Sequence, residues 1–174
     1  DYTMLTQKME KAFNEQINAE MYSAYLYLSM ASYFENKNLQ GFANWMRIQF
    51  KEEWAHAMKF FDFVLERGGK VELEKIDKPQ VEWKDAIDVM EETYKHELHV
   101  TSLIHNLMSL AHDEKDYASV SMLQWFVDEQ VEEEATAGAL LEKLKMIEGK
   151  GPGMFMIDKE LSLRVFVDPT QTGA

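Results

Sequence analysis

Phe42-Ala43-Asn44-Trp45-Met46-Arg47-Ile48-Gln49-Phe50-Lys51-Glu52-Glu53-Trp54-Ala55-His56-Ala57-Met58-Lys59-Phe60-Phe61-Asp62-Phe63 is the stretch on which the fold turns. At helical spacing its inward stripe reads Phe42, Trp45, Gln49, Glu53, His56, Phe60, Phe63, an aromatic seam broken by a carboxylate and an imidazole one turn apart. Residues at i and i+3 project from one side of a helix, so Glu53 and His56 face the same neighbours. A buried charge persists only when it is paired or holds a metal. The seam therefore predicts a helix packed against others around a metal centre.

The same interruption recurs outward from this segment. Helical patterns are predicted at about 4–35, 40–67, 83–112 and 117–147, with a short fifth over about 154–165. The first places Glu20 between Phe13 and Tyr27, with Ala31 further along. The third runs Ile87, Met90, Tyr94, Glu97, Thr101, Ile104, Met108, and the fourth Leu123, Phe126, Gln130, Glu133, Ala137, Leu140, Leu144. Each polar insertion falls near the middle third of its helix, so antiparallel packing brings all four to one level. The breaks have local causes. Asn36-Lys37-Asn38 and Asp113 to Asp116 are tight links, Gly68-Gly69 is a helix stop, and Gly149 to Gly153 sets off the fifth helix. Short links make hairpins, whereas the segment Lys70 to Glu82, with Pro79 and an extended-looking Val71-Glu72-Leu73-Glu74, can run the length of a bundle. The expected fold is all-α: a four-helix bundle of two antiparallel hairpins with one long crossover, followed by a short C-terminal helix, in a single domain over 1–174 with the bundle at about 4–147.

Composition agrees. With 3 prolines and 8 glycines among 174 residues, long helices are favoured over a sheet. The net charge of −13, from 31 acidic and 18 basic residues, disfavours binding to nucleic-acid phosphates and suits cations, although from composition alone solubility is the better account of that charge. The absence of cysteine excludes thiolate zinc and iron–sulfur sites, leaving oxygen and nitrogen as ligands. An oxygen-rich set with one imidazole suits iron or manganese better than copper. No apolar run approaches the roughly 20 residues that span a bilayer, and Asp1 to Glu10 lacks the basic start and apolar centre of a signal peptide. No membrane partner and a cytoplasmic location are expected.

Blander readings compete at several positions. Glu52, Glu129, Glu132 and Glu134, taken singly, read as a solvated helix face. His56 alone would be a hydrogen-bonded core histidine and Tyr27 alone packing, whereas Glu53, Glu97 and Glu133 all stand at stripe positions. His96 and His99 flank Glu97 without forming His-Glu-x-x-His, so a zinc-protease site is excluded. His105 and His112 read as surface or subunit-contact residues, and the methionines as core filler. The unusually broad apolar surface of Met21 to Met30 points to a subunit contact through Tyr22 and Tyr25, with a merely thick core as the plainer alternative.

Asn18-Ala19-Glu20-Met21-Tyr22-Ser23-Ala24-Tyr25-Leu26-Tyr27, Glu52-Glu53-Trp54-Ala55-His56-Ala57, Glu66-Arg67-Gly68-Gly69 and Trp125-Phe126-Val127-Asp128-Glu129-Gln130-Val131-Glu132-Glu133-Glu134 carry a resemblance over essentially the whole chain. The sequence closely resembles the non-haem ferritins of bacteria and archaea, members of the ferritin-like di-iron family. Di-iron bundles of this family draw a lone Glu from each of two helices and Glu-x-x-His from each of the other two. Here the second pair departs from that pattern and reads Gln130-x-x-Glu133. By resemblance, Glu20, Glu53 and His56 hold one iron and Glu53, Glu97 and Glu133 a second, with Glu53 bridging. Gln130 would hydrogen-bond bound oxygen or water, and Tyr27 would sit beside the centre as a hydrogen-bonding or electron-donating group. A third, weaker iron position transfers to Glu52, Glu129 and Glu132 with Glu133 shared.

Related families fit less well. Bacterioferritins carry a haem-ligating Met where this chain has Trp54, so no haem is expected. Rubrerythrin-like peroxidases often append a cysteine-ligated iron module, and the small DNA-protecting cages place their site between subunits. The resemblance implies a ferroxidase that oxidises Fe(II) with dioxygen or peroxide and stores Fe(III) mineral inside a homo-oligomeric shell, usually of 24 subunits. Met154 to Phe166 resembles the fifth helix that lines the fourfold axes of such shells. Two alternatives stay open on the residues themselves: a di-iron or di-manganese enzyme acting on a small substrate, and a purely structural acidic bundle.

Overall fold

The structure, a computed structural model, describes residues 4–171. Asp1–Thr3 and Thr172–Ala174, included in the expected domain, lie outside the described residues. Five helices and no strand occur among the described residues: α1 Gln7–Asn36, α2 Gln40–Glu66, α3 Ala86–Asp113, α4 Tyr117–Met146 and α5 Pro152–Leu161. Three begin at side-chain caps that satisfy otherwise orphaned backbone donors. The Thr6 hydroxyl accepts from Met9 N at 3.2 Å, Asp85 accepts from Asp88 N at 2.8 Å, and Asp116 accepts from Ser119 N at 3.2 Å. α2 ends where Gly68 turns to φ 74° and Gly69 N bonds back to Val64 O at 2.9 Å.

α1 pairs with α2 and α3 with α4. Their apolar residues form two separate clusters. One gathers Tyr27, Met30, Phe34, Phe42, Trp45, Met90 and Leu144; the other gathers Phe13, Ile17, Phe60, Ile104, Leu123 and Phe126, with Phe60 stacked on Phe126 at 4.1 Å. Along α2 and α3 the chain passes from the first cluster to the second, and along α1 and α4 from the second to the first. Each hairpin is therefore antiparallel, and α2 and α3 run the same way, which requires the long crossover. Buried between the clusters lie Glu20, Gln49, Glu53, His56, Glu97, Gln130 and Glu133.

The crossover, residues 67–85, lies along α1 because polar side chains spaced along that helix hold its backbone. Asn14 donates to Lys70 O at 2.9 Å and accepts from Glu72 N at 2.8 Å, Asn18 donates to Lys75 O at 3.1 Å, and Ser29 donates to Gln80 O at 2.7 Å. The extended-looking segment 71–74 thus satisfies part of its backbone from α1 instead of from a strand.

Two expectations need correction. The fifth helix runs Pro152–Leu161 rather than 154–165, and residues 162–171 continue without helix. The inward side of α3 is also rotated from the predicted stripe. Val89, Thr93, Val100 and Leu107 are buried, while Ile87, Tyr94, Thr101 and Met108 are only partly covered. α5 packs on the start of α2 at Gly41, where a Cβ would stand 1.6 Å from Asp158 O, and Phe42 N donates to the Asp158 carboxylate at 3.0 Å.

Candidate metal centre

The four long helices deliver their polar residues to one layer, and two groups there have ligand atoms all within 4.8 Å of one another: Glu20, Glu53 and His56, and Glu53, Glu97 and Glu133. Glu53 belongs to both. His56 Nδ1 lies 3.3 Å from Glu53 Oε2 and 4.0 Å from Glu20 Oε2. Glu20 Oε1 accepts from Gln16 at 2.9 Å, one turn earlier on α1. Glu97 Oε1 accepts from the Tyr27 hydroxyl, and its Oε2 accepts from Gln130 at 3.2 Å. The same Gln130 amide donates to Thr101 Oγ1 at 3.1 Å, while Gln49 donates to Glu133 Oε2 at 3.2 Å.

Such a layer is costly as it stands. Burial first, and then the charges of Glu97 and Glu20, push the Glu53 carboxyl well above the ordinary carboxylate range. Glu133 is raised well above it by burial and by Glu97 and Glu52. Burial lifts Glu97 to about 7 although its bonds from Tyr27 and Gln130 oppose the shift. Burial also lowers His56, keeping the imidazole neutral and able to donate a lone pair. Glu20 Oε2, Glu53 Oε1 and His56 Nε2 are buried with no hydrogen-bond partner. Buried polar atoms are rarely left so. Oxygen anions and a neutral imidazole converging in this way are the donor set that a hard divalent cation satisfies.

The outer acids behave differently. Glu52 and Glu129 are half-buried and Glu132 is exposed, and among the described residues the three form no group as close as the two above. They do share a field: burial, then the charges of Glu132 and Glu52, raise Glu129 to about 7. Glu52 is paired with Arg164 at 3.1 Å. A surface cavity of about 630 Å³ lined by Lys51, Trp54, Lys59 and Phe166 lies on the other side of α2 and contains none of the candidate ligands. The donors converge in the buried layer, not at this surface. His105 and His112 are exposed, as expected of surface residues.

The structure brings together all five sequence-predicted residues of the two groups, with Tyr27 and Gln130 bonded to Glu97. Gln16 and Thr101 were missed as partners. Their positions, one turn from Glu20 and Glu97, were a signal, since i to i+4 neighbours meet on a helix. Gln49 stood in the stripe without an assigned role. Arg164 had no local signal, because it reaches α2 only through the path of the chain beyond α5.

This arrangement places the chain in a known class. The model for the ferritin-like domain family matches residues 10–147, and the chain belongs to that family. Among its relatives, the bacterial non-heme ferritin of Bacteroides fragilis is 44% identical over 161 residues, covering 92% of this chain and all of the relative. The bacterial non-heme ferritin of Staphylococcus epidermidis is 37% identical over 163 residues, 94% of this chain and 98% of that one. Among solved structures, an open-pore ferritin from the hyperthermophilic archaeon Archaeoglobus fulgidus superposes with a TM-score of 0.92 at 52% identity, covering 95% of this chain and all of that one. A closed form of the same ferritin, engineered by site-directed mutagenesis, gives 0.92 at 53%, covering 94% and 99%. Among the described residues no helix is long and apolar enough to cross a membrane.

Proposed function

We propose that the protein is an iron-storage ferritin that oxidises Fe(II) at a di-iron centre within each subunit and stores the Fe(III) product as mineral inside a hollow homo-oligomeric shell. The observation that carries this reading is the shared Glu53: two groups of buried ligands meet at one carboxylate, and three of their polar atoms lack any other partner. In this reading Glu20, Glu53 and His56 bind one Fe(II), Glu53, Glu97 and Glu133 bind the second, and both ions are substrate. Two ferrous ions held side by side can pass electrons to dioxygen or peroxide in pairs, which limits release of one-electron oxygen products. Hard carboxylate oxygens favour the ferric product. Tyr27 and Gln130 hold Glu97 by its two oxygens and act beside the metals, with Gln130 placed to meet bound oxygen or water. Glu52, Glu129 and Glu132 would form a weaker third position on the way out of the centre.

The net charge of −13 supports a cation-handling role, and the named relatives are ferritins. A shell of 24 subunits, action of residues 1–174 as one domain, a cytoplasmic location and the absence of haem at Trp54 complete the proposal. Aerobic addition of Fe(II) to metal-free protein followed by size separation tests it. Iron co-eluting with a large protein species far above two ions per chain is the expected result. A discrete soluble product without an iron core would select the small-substrate enzyme, and no stoichiometric Fe(II) uptake the structural bundle.

A further inference from the structure

Arg164, on the segment beyond α5, is built into α2 at three successive turns. Nη1 donates to Trp45 O at 3.2 Å, Nη2 donates to Gln49 Oε1 at 2.8 Å and lies 3.1 Å from Glu52 Oε1, and the guanidinium stands 4.9 Å from the centre of the Trp45 ring. Asn44 fixes the backbone of this segment by donating to Leu161 O at 3.1 Å and Arg164 O at 3.0 Å. A guanidinium only donates, so it dictates which way the buried Gln49 amide faces. With its oxygen toward Arg164, Gln49 must turn its NH2 toward Glu133, where it donates at 3.2 Å. Arg164 therefore touches no candidate ligand of the inner pair, yet it sets the group that orients one of them. At the same time its charge occupies Glu52, the acid nearest to it in the outer set.

On the reading that these carboxylates bind metal, we infer that Arg164 is a positioning residue and resident counter-cation of the centre: it holds the Gln49 amide toward Glu133 and occupies Glu52 until a metal cation displaces it. A cation at Glu52 and the seated guanidinium compete for the same oxygen. Metal at the outer acids must then loosen residues 162–171, and that segment, when seated, weakens outer metal binding. The partly exposed pair sets the scale, a change of about fivefold in outer affinity.

Zn²⁺, which does not change oxidation state, is the probe. Titration calorimetry on metal-free wild type, Arg164→Gln and Arg164→Lys would be paired with hydrogen exchange of residues 162–171, with circular dichroism confirming that each variant is helical. Arg164→Gln should bind the weaker Zn²⁺ about fivefold more tightly, and Arg164→Lys, which restores the charge, should return toward wild type. In wild type, exchange of 162–171 should rise only as the weaker Zn²⁺ binds. Unchanged weak-site affinity in Arg164→Gln, with wild-type exchange indifferent to Zn²⁺, would reduce Arg164 to a peg for the chain and overturn the inference while leaving the inner pair intact. A wild-type chain that takes up no Zn²⁺ would overturn the metal-centre reading itself, and the inference with it.

Discussion

Glu53 is raised by burial and by the charges of Glu97, Glu20 and Glu133, and Glu133 by burial and the charge of Glu97, so the metal-free layer carries a free-energy cost that its carboxyls share. One contribution to the pH dependence comes from Glu97, whose folded value of about 7 stands above its ordinary 4.5. Between those values the native chain keeps a proton that the unfolded chain has released. Its contribution to stability is complete below 4.5 and is lost as pH rises through 7, on the order of 3 kcal/mol in all. Burial lowers His96 to about 4, which works in the opposite sense, so the Glu97 share is read from a variant: Glu97→Gln should reduce the fall in metal-free melting temperature between about pH 5 and about pH 7.5 by roughly 5–10 °C relative to wild type. Glu53→Gln removes the shared charge and should raise the metal-free melting temperature at the higher pH while abolishing fast Fe(II) oxidation in stopped flow, a trade expected where function holds a costly site. A Glu97→Gln pH profile that matches wild type, or a Glu53→Gln variant that oxidises at the wild-type rate, would break the argument. Glu20, Glu53, His56, Glu97 and Glu133 were legible in the sequence because each interrupts an apolar stripe, a pattern local to one helix. Tyr27 and Gln130 drew notice as stripe members, and their roles came from family likeness. Arg164 was invisible because its place depends on where the chain lies after a turn and a helix, which no local period encodes.

At the scale of elements, helix boundaries were legible where a cap or a left-handed residue stops the backbone, as at Gly68. They slipped where packing decides, as for α5, whose seat on α2 needs the bare Cα of Gly41. Gly41→Ala would drive a Cβ into Asp158 O, so α5 must shift. Hydrogen exchange over 152–166 should rise sharply while residues around Phe60 and Phe126 stay protected. Unchanged protection of α5 would mean that its seat does not depend on this approach. The start of α4 offers a second test. Burial would raise Asp116, but bonds from Arg67, at 2.9 Å, and from Ser119 hold its carboxyl below the ordinary 3.8. That contribution is present above 3.8 and is lost as pH falls through the lower folded value. Asp116→Ala removes cap and ion pair together and should cost about 1–2 kcal/mol. Asp116→Asn, which keeps a capping acceptor, should recover most of it. Equal melting temperatures for the two variants would assign the whole effect to the pair with Arg67.

For the whole molecule, both candidate ligand groups lie within one chain, whereas much apolar surface is left uncovered. Phe155 and Met156 on α5 are 74% and 73% exposed, and Leu163 and Val165 follow at 75% each, while on α1 Tyr25 and Leu28 also face outward. In the proposed shell these exposed apolar side chains would meet other copies of the chain. This separates two activities that a ferritin joins. In the proposed reading, oxidation draws on Glu20, Glu53, His56, Glu97 and Glu133 with Tyr27 and Gln130 beside them, all of which come from α1 to α4 of one chain. Retention of mineral needs a closed space, which only assembly supplies. Charges placed at the exposed tip of α5, Phe155→Glu with Met156→Glu, should leave the bundle helical and the first rapid oxidation of about two Fe(II) per chain intact, because both side chains point away from the metal layer and from the core. The same variant should elute as smaller species, and Fe(III) beyond that first increment should precipitate instead of co-eluting with protein. Size-exclusion with iron analysis after aerobic loading reads both quantities at once. A variant that still elutes as the large species and retains its iron core would show that α5 does not hold the shell together, and a variant that loses the first rapid phase would show that the centre is not complete within one chain.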